Sequence, residues 1–95
     1  MEKKFELGHI LMTSTISKQT AIDAKLSGFI FACLQKHQSG DWGDLPEEDK
    51  AINNQALEIG SGTLFGAYRY VDNSEIWIMT DCNQKTTTIL RPEDY

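Results

Sequence analysis

Three strand-like segments fill the last third of the chain and limit its fold more than any other feature. Residues 75–80 read Glu-Ile-Trp-Ile-Met-Thr, the run with the strongest β-strand composition. Residues 63–70 and 85–90 flank it, and residues 71–74 and 81–84 between them have turn composition. Strands joined by such short turns predict an antiparallel meander.

The first two-thirds of the chain predict one strand and three helices. Residues 5–13 have the apolar pattern of a strand that is partly covered on both faces. Helical periodicity follows at residues 17–25, 29–37 and 44–58. The order β-α-α-α-β-β-β predicts a two-layer α+β fold, with residues 1–95 as a single domain. We expect an antiparallel sheet of about four strands with the helices on one face.

Side-chain periodicity also predicts which residues are buried. Trp77 is expected in the central strand of the sheet, at least half buried. The predicted packed face of the second helix consists of Phe29, Ile30, Cys33, Leu34 and His37. In the third helix, the residues expected to pack are Ile52, Ala56 and Ile59, and the polar residues on the same side are Asp49 and Asn53.

The stretch from residue 37 to residue 49 joins the second helix to the third. Gly40 follows the second helix, at a position that needs a left-handed backbone. Asp44 is predicted to begin the third helix, with Glu47 at capping-box spacing and Pro46 in the first turn. The acids here suit the positive end of the helix dipole, which is a structural reason for their presence.

The candidate binding residues are His37, Asp41, Trp42, Asp49, Asn53 and Tyr68. A short connection brings two helix ends together, and polar side chains on packed faces need partners. The residues predicted to converge around the Gly40–Gly43 turn are His37, Asp41, Asp49 and Asn53. Trp42 is the expected lid, with its indole N–H directed to a carbonyl or carboxylate. The cluster either fixes the angle between two helices or forms a functional site, and the sequence leaves both open.

The charge of the chain limits its partners. The formal net charge is −5 and the isoelectric point is near 4.8. Direct binding to nucleic acid needs Lys and Arg against phosphate and is not expected. An acidic surface favours a basic protein partner or serves solubility alone. We expect a monomer or a homodimer.

Signals for membranes and secretion are absent from the sequence. The N-terminal run Met-Glu-Lys-Lys-Phe-Glu is not followed by a long apolar segment, so no signal peptide is predicted. No window approaches the apolar length of a spanning helix. These features predict a cytoplasmic protein without membrane association. Cys33 and Cys82 are then expected to be free thiols.

No catalytic, cofactor or metal signature is evident. The run Gly60-Ser61-Gly62 follows a helix, whereas a phosphate-binding loop precedes one. Cys33 and His37 share a helix face, but a third metal ligand would have to be Cys82 in a turn. We therefore predict no metal and no cofactor. The acidic charge also favours packing over base stacking for the aromatic residues Tyr68, Tyr70 and Trp77.

One group of proteins shares a series of short motifs with this chain. The motifs are His37-x-x-Gly40-Asp41-Trp42-Gly43, Glu48-Asp49-x-x-x-Asn53, Ala67-Tyr68, Ile76-Trp77-Ile78-x-Thr80 and Thr87-Thr88-Ile89-Leu90-x-Pro92-x-x-Tyr95. The chain resembles small uncharacterised bacterial proteins of plasmids and integrative elements, labelled plasmid-related proteins. The resemblance implies a cytoplasmic protein of a mobile element but no established activity. This chain lacks the arginines expected near Thr63 and Gln84 and the serine expected at Gly66, so no anion site is proposed.

Two functions are consistent with these observations. The favoured one is a non-enzymatic protein-binding module of a mobile element, which counters host defence or regulates maintenance of the element. The alternative is a small-molecule-binding or hydrolytic pocket, with His37 as a base oriented by Asp41 or Asp49, and Asn53 as a hydrogen-bond donor. No nucleophile is evident, which makes an enzyme the less favoured interpretation.

Overall fold

A computed structural model describes residues 2–95. In chain order its elements are β1 (His9–Met12), α1 (Ser14–Ile22), α2 (Ala24–Gln38), α3 (Glu47–Ile59), β2 (Thr63–Arg69), β3 (Glu75–Asp81), β4 (Thr86–Leu90) and a short 3₁₀ helix (Pro92–Asp94). The predicted α+β fold and its order of elements are confirmed. Because Gly8 has a φ of +67°, the first strand begins at His9, later than predicted.

The sheet has the strand order β1-β4-β3-β2. β2, β3 and β4 form the predicted antiparallel meander. β1 joins β4 in parallel, with His9 opposite Thr86 and Met12 opposite Ile89. The sheet is therefore mixed and not wholly antiparallel. Helices follow β1 where a hairpin turn would have reversed the chain, so local geometry does not impose an antiparallel neighbour on it.

Alternation along β3 divides the sheet into two faces. Ile76, Ile78 and Thr80 are buried on one face, and Trp77 and Met79 lie partly buried on the other. We call the face that carries Trp77 the outer face. The core on the opposite face consists of Ile16, Leu26, Ile30, Cys33, Tyr68, Ile76, Ile78 and Ile89, so α1 and α2 pack there. The predicted location of Trp77 in an internal strand is confirmed.

Asp23 separates α1 from α2. Its backbone is extended, and its carboxylate accepts a hydrogen bond from Leu26 N at 3.1 Å. α2 therefore begins at Ala24, earlier than predicted, because the Asp23 carboxylate accepts a hydrogen bond from an N–H group of the first turn. At the other end of α2, Gly40 has a φ of +86°, which confirms the predicted left-handed backbone.

α3 begins later than predicted. Pro46 has an extended backbone and precedes the helix, and Glu47 is the first helical residue. Asp44 does not cap this helix, because its carboxylate accepts a hydrogen bond from Arg69 N at 3.1 Å in β2. The predicted capping box is wrong because a strand competes for the same side chain.

The edge of β2 that faces away from β3 is covered by the side chain of Asn53 and by the loop after α2. Asn53 Nδ2 donates to Phe65 O at 2.6 Å, and Phe65 N donates to Asn53 Oδ1 at 3.1 Å. Ala67 N donates to Trp42 O at 3.2 Å, and Asp44 N donates to Ala67 O at 2.7 Å. These groups replace the neighbouring strand that an edge strand lacks.

Asn53 also determines the rotation of α3. The predicted packing of Ile52 and Ile59 is wrong, since these residues are 62% and 74% exposed. Asn53 occupies the inward position because its amide satisfies both backbone groups of Phe65. Leaving buried polar groups unpaired costs about 1–3 kcal/mol each, which offsets the gain from burying one isoleucine.

Candidate functional site

His37 lies near the end of α2 in an enclosed aromatic pocket. Its side chain is 0% exposed. The rings of Phe5 and Trp42 meet it edge-on, with centroids 5.4 and 5.3 Å from the imidazole. Burial lowers the pKa of His37 to about 4, because the charged ring would lose its hydration. The imidazole is therefore neutral at pH 7.

A chain of hydrogen bonds determines which imidazole nitrogen carries the proton. Thr87 Oγ1 donates its single proton to Leu7 O at 2.6 Å. The Thr80 hydroxyl, 2.8 Å from Thr87 Oγ1, must then donate to it and accept from His37 Nε2 at 3.0 Å. Nδ1 keeps a lone pair that has no hydrogen-bond partner in residues 2–95. Because that lone pair is buried, His37 cannot take a proton from a substrate.

Trp42 closes the pocket of His37 from solvent. Its side chain is 2% exposed, and its ring lies 6.2 Å from that of Phe5 in a stacked arrangement. The indole N–H donates to Asn54 Oδ1 at 2.9 Å. Of the two predicted acceptors, a carbonyl or a carboxylate, the structure shows the carbonyl oxygen of a side-chain amide. Trp42 thus joins the loop after α2 to α3.

Tyr68 joins the same loop to the sheet. Its hydroxyl donates to Asp41 O at 2.7 Å. Gly66 leaves the space for this arrangement, because a Cβ at that position would lie 2.6 Å from the Tyr68 hydroxyl oxygen and 2.9 Å from His37 Nδ1. The structure therefore brings together three of the candidate side chains, His37, Trp42 and Tyr68, as a closed structural cluster.

The predicted convergence of Asp41, Asp49 and Asn53 on His37 is wrong. The Asp41 carboxylate accepts a hydrogen bond from Gly43 N at 3.1 Å, and the Asn53 amide bonds the edge of β2. Asp49 is exposed in the first turn of α3. The two helix ends do approach each other, but aromatic rings fill the space around the imidazole.

An open cavity of about 430 Å³ lies on the outer face, between the sheet and α3. Two of the candidate residues, Asp49 and Asn53, line it. The other lining residues are Leu45, Ile52, Thr63, Phe65, Trp77, Met79 and Tyr95. We call this cavity the outer groove. Its surface is mostly apolar and is accessible from solvent, in contrast to the pocket of His37.

Three aromatic rings form the wall of the outer groove. The rings of Phe65 and Trp77 meet edge-to-face with centroids 5.0 Å apart, and the ring centroid of Tyr95 lies 5.8 Å from that of Trp77. Tyr95 is 81% exposed and Ile52 lies on the opposite side of the groove. A concavity lined by exposed and half-buried apolar side chains is typical of an interaction site.

The charge of the outer groove is negative. Asp49 is the carboxylate in its lining, and the lining contains no Lys or Arg among the described residues. Farther along β3, Glu75 lies 3.7 Å from Arg69 and so has a partner of opposite charge. Aromatic faces attract cations, and a carboxylate beside them adds a charge of the right sign. The groove therefore suits a guest that is apolar and positively charged.

Sequence reasoning missed most residues of the outer groove, although a signal was present. The alternation in residues 75–80 puts Trp77 and Met79 on the face opposite to Ile76 and Ile78. A sheet that is apolar on both faces, with helices on one, leaves an apolar face uncovered. The prediction assigned Ile52 to the core because it lies on an apolar helix stripe. Such a stripe does not by itself indicate which side of the sheet the helix contacts.

A smaller polar cleft of about 350 Å³ lies on the other side of the loop after α2. Asp41 and Tyr68 line it together with Lys36, Asp44 and Arg69, so its charges balance. Cys33 also borders the cleft, but burial raises the pKa of its thiol to about 12. A thiol in this state is a poor nucleophile. The cleft therefore offers no activated group for catalysis.

The arrangement of possible metal ligands gives no site within the described residues. Residues 2–95 contain no group of three or more His, Cys, Asp or Glu side chains that could hold a metal ion. Cys33 and Cys82 are both free thiols, as predicted. Cys33 is buried on α2, and Cys82 is partly exposed in the turn after β3.

Comparisons with protein-family models, with curated proteins and with solved structures find no match. In the part of the chain that the structure describes, no helix has the length and apolar character needed to cross a membrane.

Proposed function

We propose that this chain is a non-enzymatic protein-binding module, which receives a basic and apolar segment of a partner protein in the outer groove. The observation that carries the proposal is an open, aromatic-lined cavity of about 430 Å³ with a carboxylate in its lining. The hydrolytic alternative loses its base, because the imidazole of His37 is enclosed.

The chemistry of the groove supports a guest with a Lys or Arg side chain. The aliphatic stem of such a side chain packs against aromatic rings, and its charged end stays near water. In the outer groove the stem would lie against Trp77 and Phe65, and the charge would approach Asp49. A neighbouring apolar side chain of the partner would contact Ile52 and Met79.

The overall charge favours the same partner. A net charge of −5 attracts a basic segment and increases its rate of association. The resemblance to plasmid-related proteins extends the proposal to a cytoplasmic protein of a mobile element, whose partner belongs to host defence or to maintenance of the element.

The two tryptophans provide a direct test by nuclear magnetic resonance. The ¹⁵N-labelled chain is titrated with a peptide of alternating Leu and Lys, and separately with a peptide of alternating Leu and Glu. We expect the basic peptide to shift the indole signal of Trp77, which lines the groove, and to leave that of buried Trp42 in place. The acidic peptide should shift neither signal. Equal binding of both peptides, or a shift confined to Trp42, would contradict the proposal.

Matched variants on α3 separate groove binding from a general charge effect. Ile52→Glu introduces a charge into the groove, and Ile59→Glu makes the same change at a similarly exposed position outside it. Asp49→Lys and Glu58→Lys form a second pair. We expect the groove variants to weaken binding of the basic peptide about tenfold or more, equivalent to about 1.4 kcal/mol. Equal affinities within each pair would exclude the outer groove as the binding site.

A further inference from the structure

The two edges of the sheet are protected to different degrees. The outer edge of β2 is covered by Asn53 and by the loop after α2. β1 forms the other end of the sheet, and all its residues are exposed. An open apolar strand edge is a template for pairing with another chain. We propose that the edge of β1 pairs antiparallel with the same edge of a second copy, about a two-fold axis at Leu11.

The pairing with β4 determines which backbone groups of β1 point outward. His9 N donates to Lys85 O at 2.9 Å, and Thr13 N donates to Ile89 O at 3.1 Å. In a parallel ladder, the backbone groups of alternate residues bond to the same neighbouring strand. The N–H and C=O groups of Leu11 therefore also point toward β4. The N–H and C=O groups of Ile10 and Met12 therefore point away from the sheet.

In one register, the outward N–H and C=O groups of one copy can form hydrogen bonds with those of the other. With the axis at Leu11, Ile10 of one copy lies opposite Met12 of the other, and each pair exchanges both backbone hydrogen bonds. An axis at Ile10 would place Met12 opposite Gly8, whose φ of +67° leaves the strand. An axis at Met12 would place Ile10 opposite Ser14, which is helical. The Leu11 register alone satisfies every outward group.

The side chains beside this edge form a matching apolar surface. Ile10 and Met12 lie on the side of the helices, where they border a concavity of about 250 Å³ together with Phe31 and Leu34. Ile10, Met12 and Phe31 are 47%, 49% and 63% exposed. The lining of this concavity contains no ionisable side chain, so no like charges of the two copies face each other within it.

The resulting dimer has a continuous sheet with the helices of both copies on one side. A two-fold interface of this kind uses the same patch twice and closes without further growth. The outer groove lies at the other end of the sheet, beside β2, and stays open in the dimer. Dimerisation can therefore fail without affecting the proposed peptide binding, and the reverse also holds.

Sedimentation equilibrium of the full chain tests the dimer with oppositely charged substitutions at the two-fold axis. We expect the wild type to self-associate, and Leu11→Lys and Leu11→Glu each to be monomeric, because like charges then face each other. An equimolar mixture of the two variants should restore the dimer. Val71→Lys, at a position that is 91% exposed and remote in sequence from β1, is the matched control and should associate as the wild type does.

A disulfide between the two copies tests the same register in a second experiment. In a Cys82→Ser background, Leu11→Cys should form a disulfide-linked dimer on mild oxidation, since the two-fold axis puts residue 11 opposite itself. A wild type that stays monomeric at about 1 mM would overturn the proposal. Dimers that persist in Leu11→Lys, or a mixture of the two charge variants that stays monomeric, would also overturn it.

Discussion

The imidazole Nε2 of His37 donates a hydrogen bond to the Thr80 hydroxyl across 3.0 Å, and this bond joins the end of α2 to β3. The bond satisfies one ring nitrogen in the interior, and burial keeps the ring neutral. The histidine is thus part of the packed core, on the same helix face as Cys33 and Ile30.

This burial predicts a loss of stability in mild acid. The pKa of His37 lies near 4 in the folded chain, against an ordinary value of 6.5. As the pH falls through this interval the unfolded chain binds a proton that the folded chain does not. The free energy of unfolding should therefore fall by about 3 kcal/mol in total between the two values. Urea denaturation at several pH values measures the effect.

The second histidine supplies the control for this measurement. His37→Gln should remove the loss between the two pKa values, and His9→Gln, at an exposed strand position, should retain it. An unchanged pH dependence in His37→Gln would show that another group causes the loss.

A methyl group at position 66 should destabilise the fold. In Gly66→Ala the new Cβ would meet the Tyr68 ring and hydroxyl and the His37 ring at less than 3.0 Å. We expect a loss of about 1–3 kcal/mol, the usual cost of overpacking. Gly28→Ala is the matched control, since nothing lies within 4 Å of its Cβ and alanine favours the helix. Thermal denaturation should show opposite shifts, and a neutral Gly66→Ala would contradict this packing.

Two neighbouring asparagines should differ in their tolerance of aspartate. Asn53→Asp removes the donor to Phe65 O and places a carboxylate against that carbonyl, so we expect a loss of about 2–3 kcal/mol. Asn54 only accepts from the Trp42 indole, and Asn54→Asp keeps an acceptor there. Chemical denaturation of both variants checks the difference, and equal stabilities would mean that Asn53 does not hold the edge of β2.

The two thiols should differ in reactivity. Burial raises the pKa of Cys33 to about 12, and burial raises that of Cys82 to a smaller extent. A thiol reagent should therefore modify Cys82 first in the native chain, and Cys33 only when the chain opens. Mass spectrometry after limited labelling identifies the site, with urea-unfolded protein as the reference. Fast native labelling of Cys33 would mean that α2 does not pack as described.

Much of the fold could be predicted because its signals are local. The alternation in residues 75–80 puts Ile76 and Ile78 on one face, and the short turns beside it require antiparallel neighbours. The stripe that includes Ile30, Cys33 and His37 is likewise repeated every helical turn. These features predict the meander, the buried face of α2 and the position of Trp77 in an internal strand.

The candidate site was predictable only in part, because its contacts join distant segments. Periodicity and turn chemistry were sufficient to predict the order of the elements, the buried position of His37 and the internal strand that carries Trp77. Three features depend on tertiary contacts: β1 lies parallel to β4, Asn53 faces β2 in place of Ile52, and Asp49 borders a groove away from His37. These outcomes depend on contacts between segments far apart in the chain, such as the hydrogen bonds between Asn53 and Phe65. Contacts of this kind leave no periodic signal in the sequence.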